Sequence, residues 1–126
     1  MELTIGLTAE KTFEVTKNET AQEVGSGSLP ILATPMLIAW MEDCAISIVK
    51  DALPESQTTV GTAVCLQHLK PSAVGEYLTC RAELVAMDDR KLFFMLTAHS
   101  LRGQKVASAT HDRFIVDIDR LMSKLQ

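Results

Sequence analysis

From Met1 to Lys17, apolar Leu3, Ile5, Leu7, Phe13 and Val15 alternate with polar Glu2, Thr4, Thr8, Thr12, Glu14 and Thr16. This is the period-two signature of a half-buried strand, and one or two strands are expected here. Asn18 to Ser28 carries Glu19, Gln22, Glu23 and the run Gly25-Ser26-Gly27-Ser28, a combination of backbone freedom and water-seeking side chains that predicts a mobile loop. Thr34-Pro35 then supplies two helix-start signals, a hydroxyl for the N-cap and a proline for the first helical position. A helix is expected from about Pro35 to Leu53, ended by Pro54. Leu37, Trp40, Met41, Cys44 and Ile48 form one apolar stripe on it, and Ile38, Ala45, Ile46 and Val49 carry the stripe round a second side. A helix apolar on nearly all faces is buried.

Beyond Pro54-Glu55-Ser56 the period falls to two and stays there through four segments: Thr58–Leu69, Glu76–Met87, Lys91–Leu101 and Gln104–Val116. Their connections are short enough for antiparallel neighbours. Four strands of about twelve residues twist and curl, and their apolar face needs a cover that only the buried helix can supply. The expected fold is therefore α+β, a long antiparallel sheet wrapped around a central helix in the order β-α-β-β-β-β. Asp119 to Leu125 adds a short helical turn. There is no internal repeat.

Composition narrows the function classes. The 126 residues are 47% hydrophobic and 22% charged, enough for one sizeable core and short for two, so residues 1–126 are read as one domain. Twelve Lys and Arg against sixteen Asp and Glu give a net charge of −4, with no basic run to track a phosphate backbone, so no nucleic-acid partner is expected. The apolar stretch Leu29–Val49 is broken by Pro30 and Pro35 and carries Glu42 and Asp43, which argues against a membrane span. Cys44, Cys65 and Cys80 lie in apolar runs without CxxC spacing. With no signal-peptide pattern at the N-terminus, they point to a reducing cytoplasm.

Glu42 carries the strongest chemical signal, because its helical neighbours Ile38, Ala39, Ala45 and Ile46 are all apolar. A carboxylate there loses solvation and its pKa should rise unless a partner or ligand compensates, which suits acid–base or nucleophilic work. The structural alternative is a solvated seam shared with Asp43, or an ion pair with Arg81 or Arg113. By alternation, His68 shares a strand face with Val60, Val64 and Leu66. It is either a core histidine or a proton-transfer group titrating near neutrality. His99 and His111 lie on other strands, and three histidines without metal-ligand spacing predict no metal. Thr34, as N-cap, would set its hydroxyl at the positive end of the helix, where a developing oxyanion is stabilised. The bland reading is a cap alone. Thr34 and Glu42, eight residues apart, are separated by a rise of roughly 12 Å, so a joint site must span a substrate or borrow from a second chain.

The segments A-T-P-M-L-I-A-W-M-E, G-T-A-V-C-L-Q-H and A-T-H-D-R-F-I-V, within Leu32 to Val116, resemble the hotdog-fold thioesterases of the fluoroacetyl-CoA thioesterase branch. The spacing of Thr34, Glu42 and His68 matches the Thr, Glu and His that act together in that family. The resemblance implies hydrolysis of an acyl-CoA thioester. Glu42 would attack the carbonyl or activate water, His68 would transfer a proton, and Thr34 would position the thioester or support the oxyanion. Gly61 falls where the family brings backbone close to the acyl group, and Arg113 near an arginine lining the site. The resemblance also implies a homodimer with sites at the interface, no cofactor beyond the CoA of the substrate, and CoA phosphates near basic side chains such as Lys70, Arg81 or Lys105. Family phenylalanines ahead of the helix act as a lid, whereas Ala21 to Ala33 holds no aromatic residue, so a general short-chain acyl-CoA thioesterase is expected rather than one selective for a fluorinated acyl group. A non-catalytic acyl-CoA-binding module on the same fold is the alternative; a hotdog dehydratase or hydratase ranks last.

Overall fold

A computed structural model of the chain describes residues 2–126. Five strands make one antiparallel sheet: β1 (Thr8–Glu14), β2 (Gln57–His68), β3 (Tyr77–Asp88), β4 (Lys91–Ser100) and β5 (Lys105–Asp117), in the spatial order β1-β3-β4-β5-β2. Helix α2 (Thr34–Val49) packs against the inner face. It is preceded by a 3₁₀ turn (Lys17–Glu19) and a short α1 (Ala21–Val24), and α3 (Ile118–Ser123) closes the chain. The expected α+β order is what the chain adopts, with the four long strands within a residue or so of their expected bounds.

Alternation decides which side chains enter the core. Leu78, Cys80, Ala82 and Leu84 of β3 and Leu92, Phe94, Leu96 and Ala98 of β4 all point inward and are buried. They meet Leu37, Trp40, Met41, Cys44, Ala45, Ile48 and Val49 of α2, each full-sized apolar side chain contributing roughly 1.5–3 kcal/mol on burial. Phe13 of β1 stacks on Trp40 with ring centroids 4.9 Å apart. The β3–β4 turn is tight enough to hold Asp89 at φ 54, a left-handed conformation that aspartate tolerates better than most residues.

Four expectations are corrected. Asn18–Ser28 is not all loop: it opens with the end of a 3₁₀ turn and the short α1, and only from Gly25 is it turns and bends. Thr16 and Glu19 form a capping box, the buried Thr20 hydroxyl caps α1, and Ala21 N–H and Ala33 N–H donate to Ile31 and Glu19 carbonyls at 2.7 and 2.8 Å. Local side-chain caps supply the order that composition hides. Helix α2 ends at Val49 rather than Leu53, giving way to turns ahead of Pro54, whose ring disfavours a helical residue before it. Its second apolar side is only partly covered: Ala45 and Val49 are buried, Ile38 and Ile46 are half-buried, and Ala39 is exposed. Finally, Val60 does not share a face with His68. A bulge between Gly61 and Ala63 shifts the β2–β5 register, so Gly61 faces Arg113, Val64 faces His111 and His68 faces Ala107. One extra residue turns the strand over.

Candidate active site

Two groups of polar side chains lie on the concave side of the sheet. The first is centred on Arg113 of β5, which is 5% exposed. Its Nε donates to Thr59 Oγ1 at 2.8 Å and its Nη2 to the Thr59 carbonyl at 3.0 Å. Nη1 donates to Glu42 Oε2 at 2.9 Å and to His111 Nε2 at 3.1 Å. The guanidinium is thus clamped on β2 and aimed at the helix. Burial works against its charge and Glu42 opposes that loss. An unpaired cation at this depth would be costly, so the carboxylate is a structural requirement of Arg113 as much as the reverse. Only Glu42 Oε2 is engaged; among the described residues Oε1 accepts no hydrogen bond, and the side chain keeps 32% of its exposure. One carboxylate oxygen is fixed and the other is free.

Gly61 explains how Glu42 reaches that position. A β-carbon at residue 61 would lie inside contact distance of Glu42 Oε2 and 3.2 Å from Arg113 Nη1. The absent side chain is the space that the carboxylate occupies.

The second group joins the start of α2 to the end of β2. Thr34 Oγ1 and His68 Nδ1 are 2.8 Å apart, and His68 Nε2 is buried without a partner among the described residues. Burial lowers the His68 pKa, favouring the neutral ring. Both residues line a cleft of about 320 Å³ with Ile31, Leu32, Lys70 and Pro71. A buried ring nitrogen with nothing to bond, at the wall of a cleft, is positioned for a ligand or water.

Thr34 therefore does something other than expected. The N-cap of α2 is Ala33, with no side-chain cap bond, and Thr34 is the first helical residue. Its hydroxyl is committed to His68 instead of the helix. Glu42 has the Arg113 ion pair foreseen as one alternative, while Arg81 sits on β3 beside Glu83, with β4 and β5 between it and β2. Of the basic residues considered for phosphates, Lys70 lies at the cleft and Arg81 does not. Asp43 faces another way and pairs with Lys11 at 2.9 Å. Among the described residues no helix is long and apolar enough to cross a membrane. The buried thiols are poor nucleophiles: burial raises Cys44 and pushes Cys80 up to about 12.

His111 is the residue that sequence reasoning passed over. It is 1% exposed. Its Nδ1–H donates to the Ala63 carbonyl at 2.8 Å, and Nε2 lies 3.6 Å from Glu42 Oε2. The signal was present in T-H-D-R, because residues two apart on a strand share a face and Arg113 was already of interest. Thr59, the anchor of Arg113, carried no such signal.

The profile of the fluoroacetyl-CoA-specific thioesterases matches residues 15–119, which span both polar groups. The chain belongs to this family. A curated member, the fluoroacetyl-CoA thioesterase of Streptantibioticus cattleyicolor, is 25% identical over 96 residues, covering 76% of this chain and 68% of the relative. A solved structure of a fluoroacetyl-CoA thioesterase superposes with a TM-score of 0.92 at 22% identity, covering 99% of this chain and 96% of that one. A thioesterase-superfamily member from Thermus thermophilus does so with 0.86 at 20%, covering 97% and 92%. The fold is the hotdog fold, and the family is one of thioester hydrolases.

Proposed function

We propose that this chain is an acyl-CoA thioesterase that hydrolyses short acyl-CoA thioesters to the free acid and CoA. The observation that carries the proposal is the Glu42 carboxylate, with one oxygen held by Arg113 at 2.9 Å and the other free beside the Gly61 backbone. Either this oxygen attacks the thioester carbonyl and water then hydrolyses the anhydride, or it removes a proton from the water that attacks. In both routes the C–S bond breaks, and the proton that water loses ends on the CoA thiolate, for which His68 is placed as the relay. Thr34 positions His68 at the positive end of α2, where the helix favours a developing oxyanion. Water is the second reactant, and the reaction calls for no metal or redox cofactor. The family relationship and the matching Thr34, Glu42 and His68 support these assignments.

The small acyl group rests on the family relationship, since the substrate named for that family carries a two-carbon acyl chain. Fluoro-selectivity is not part of the proposal, since the segment ahead of α2 has no aromatic side chain to close over the site.

The site is completed by a second copy. Thr34 and Glu42 lie two turns apart on one helix, roughly 12 Å in rise, too far for both to act on one carbonyl. Among the described residues β2 pairs only with β5, so its other edge is open, and none of its twelve residues is charged. Such an edge is a template for another strand, unlike β1 at the far edge, which carries Glu10, Lys11 and Glu14. Antiparallel pairing of two β2 strands runs the His68 end of one chain along the Gly61 end of the other, and gives half-buried Ile38 and Ile46 a cover. We therefore assign a homodimer in which Thr34 and His68 of one chain meet the partner's Glu42. Three free cysteines suit a reducing cytoplasm.

The test is thiol release from a panel of acyl-CoAs, from acetyl and fluoroacetyl to medium-chain and aromatic, with Glu42→Gln as control. Glu42-dependent release that is fastest with short acyl groups is expected. Binding across the panel without release would identify a non-catalytic acyl-CoA-binding module instead.

A further inference from the structure

His111 has no part in the steps above, yet it is the most buried polar side chain in the Arg113 group. Its two ring nitrogens have different partners. The Ala63 carbonyl can only accept, so Nδ1 carries the proton in the 2.8 Å bond to it. In the neutral ring Nε2 is then an acceptor, matched by the Arg113 Nη1 donor at 3.1 Å. Nη1 has two hydrogens and two acceptors, His111 Nε2 and Glu42 Oε2. The position of the guanidinium is therefore set from both sides of the same nitrogen.

The ring also holds β2. Ala63 stands at the register shift between Gly61 and Ala63, and the imidazole supplies its carbonyl with a donor from the side. The bulge decides that Gly61 faces the carboxylate, and the Cε1 edge of the ring lies 3.3 Å from where a Gly61 β-carbon would be. One side chain thus touches the bulge and the Arg113 guanidinium and borders the space left open at Gly61.

We propose that His111 is a positioning residue, a neutral imidazole that fixes the Arg113 guanidinium and through it aims the Glu42 carboxylate at the acyl group. The inference rests on the reading of Glu42 as the reacting carboxylate. The groups that face the ring are Glu42 from α2 and Arg113 and Asp112 from β5. Burial is the first cause of its lowered pKa, and Arg113 acts in the same direction. Protonation would set a second N–H against the Nη1 donor and break the arrangement.

Two variants separate the two nitrogens. His111→Asn retains a donor near Nδ1 for Ala63 but leaves Nη1 without its acceptor, whereas His111→Gln places an acceptor near Nε2. Each is measured with Arg113→Gln, the double variant His111→Asn/Arg113→Gln and Glu42→Gln, using the acyl-CoA that the wild type hydrolyses fastest and a thermal melt for each protein. In His111→Asn kcat should fall about 10- to 100-fold with KM little changed, the cost of a reacting group displaced by up to about 1 Å. His111→Gln should recover most of that loss, and the double variant should be no slower than Arg113→Gln alone. A wild-type kcat in His111→Asn, or equal losses in Asn and Gln variants, would overturn the proposal. If His111→Asn does not fold, His111→Gln decides, and a kcat as low as that of Arg113→Gln overturns it. Wild-type turnover in Glu42→Gln would instead remove the underlying reading, whatever the His111 variants show.

Discussion

Replacing Gly61 by alanine perturbs the site without disturbing the fold. Gly61 is not among the positive-φ glycines, so its backbone accepts an L side chain. The new methyl would meet Glu42 Oε2 well inside ordinary contact, and would lie 3.2 Å from Arg113 Nη1 and 3.3 Å from His111 Cε1. Glu42 Oε2 is the end of a flexible, partly exposed side chain, so it is the atom that yields. To restore a separation near 3.5 Å it must retreat by about 1 Å, which loosens the 2.9 Å bond to Arg113 and moves the free oxygen by a similar amount. A displacement of that size lowers the rate by about 100-fold, while the melting temperature falls by only a few degrees if about 1 kcal/mol of hydrogen-bond energy is lost. The assay is acyl-CoA hydrolysis followed by free thiol, with a thermal melt on the same preparation. A folded Gly61→Ala protein with wild-type kcat would refute the reasoning that the missing side chain seats the carboxylate.

The remaining expectations concern the other half of the site, the edge strand and pH. Thr34→Ser should retain most activity and Thr34→Ala should lose more. Because Thr34 does not cap α2, the alanine variant should cost no more than about 1 kcal/mol by denaturant titration; equal rates for both would make the hydroxyl irrelevant. His68→Ala should lower turnover roughly 10²–10⁴-fold, and a change in melting temperature alone would make His68 a core residue. Thr62→Lys/Cys65→Lys places like charges at exposed positions of β2 and should shift the mass in solution from dimer to monomer and remove activity; an active monomer would contradict the shared site. Burial lowers both His68 and His111 below the usual 6.5. The unfolded chain therefore binds protons that the folded chain refuses. The stability from neutral rings is full above about pH 6.5 and is lost as pH falls from there towards the depressed folded values. Melting temperature should drop over that window, and less so in His111→Gln.

Alternation and caps explain how much of this was legible in the chain. β3 and β4 keep strict period two, and their bounds and inward faces follow from it. β2 carries the same pattern, but a bulge at Gly61 inverts the phase, and a single glycine in a strand signals a bulge without showing which face it turns. Thr34 beside Pro35 has the composition of a cap, and the cap failed because a tertiary partner, His68 at 2.8 Å, competes for the hydroxyl. Asn18–Ser28 reads as a loop by composition, whereas capping bonds order it. Glu42 stood out as a carboxylate in an apolar setting, and its partner Arg113 was one of the two considered. Thr59 was not legible as a site residue, and His111 was legible only through its place two residues from Arg113 on one strand, since both roles depend on strands that are distant in sequence and adjacent in space.

The central claim is that two half-sites, Thr34–His68 and Glu42–Arg113, meet across a dimer. Mixing two inactive variants tests it most directly. His68→Ala and Glu42→Gln are purified separately, mixed in equal amounts, exchanged by mild denaturation and refolding, and assayed for acyl-CoA hydrolysis. In a mixed dimer the His68→Ala chain supplies an intact Glu42 and the Glu42→Gln chain an intact His68, so one of the two sites is wild type. Random exchange should restore about a quarter of wild-type activity, since half of the dimers are mixed and each has one working site. Exchange confirmed by mass, with no activity regained, would show that Thr34, His68 and Glu42 do not form one site across two chains.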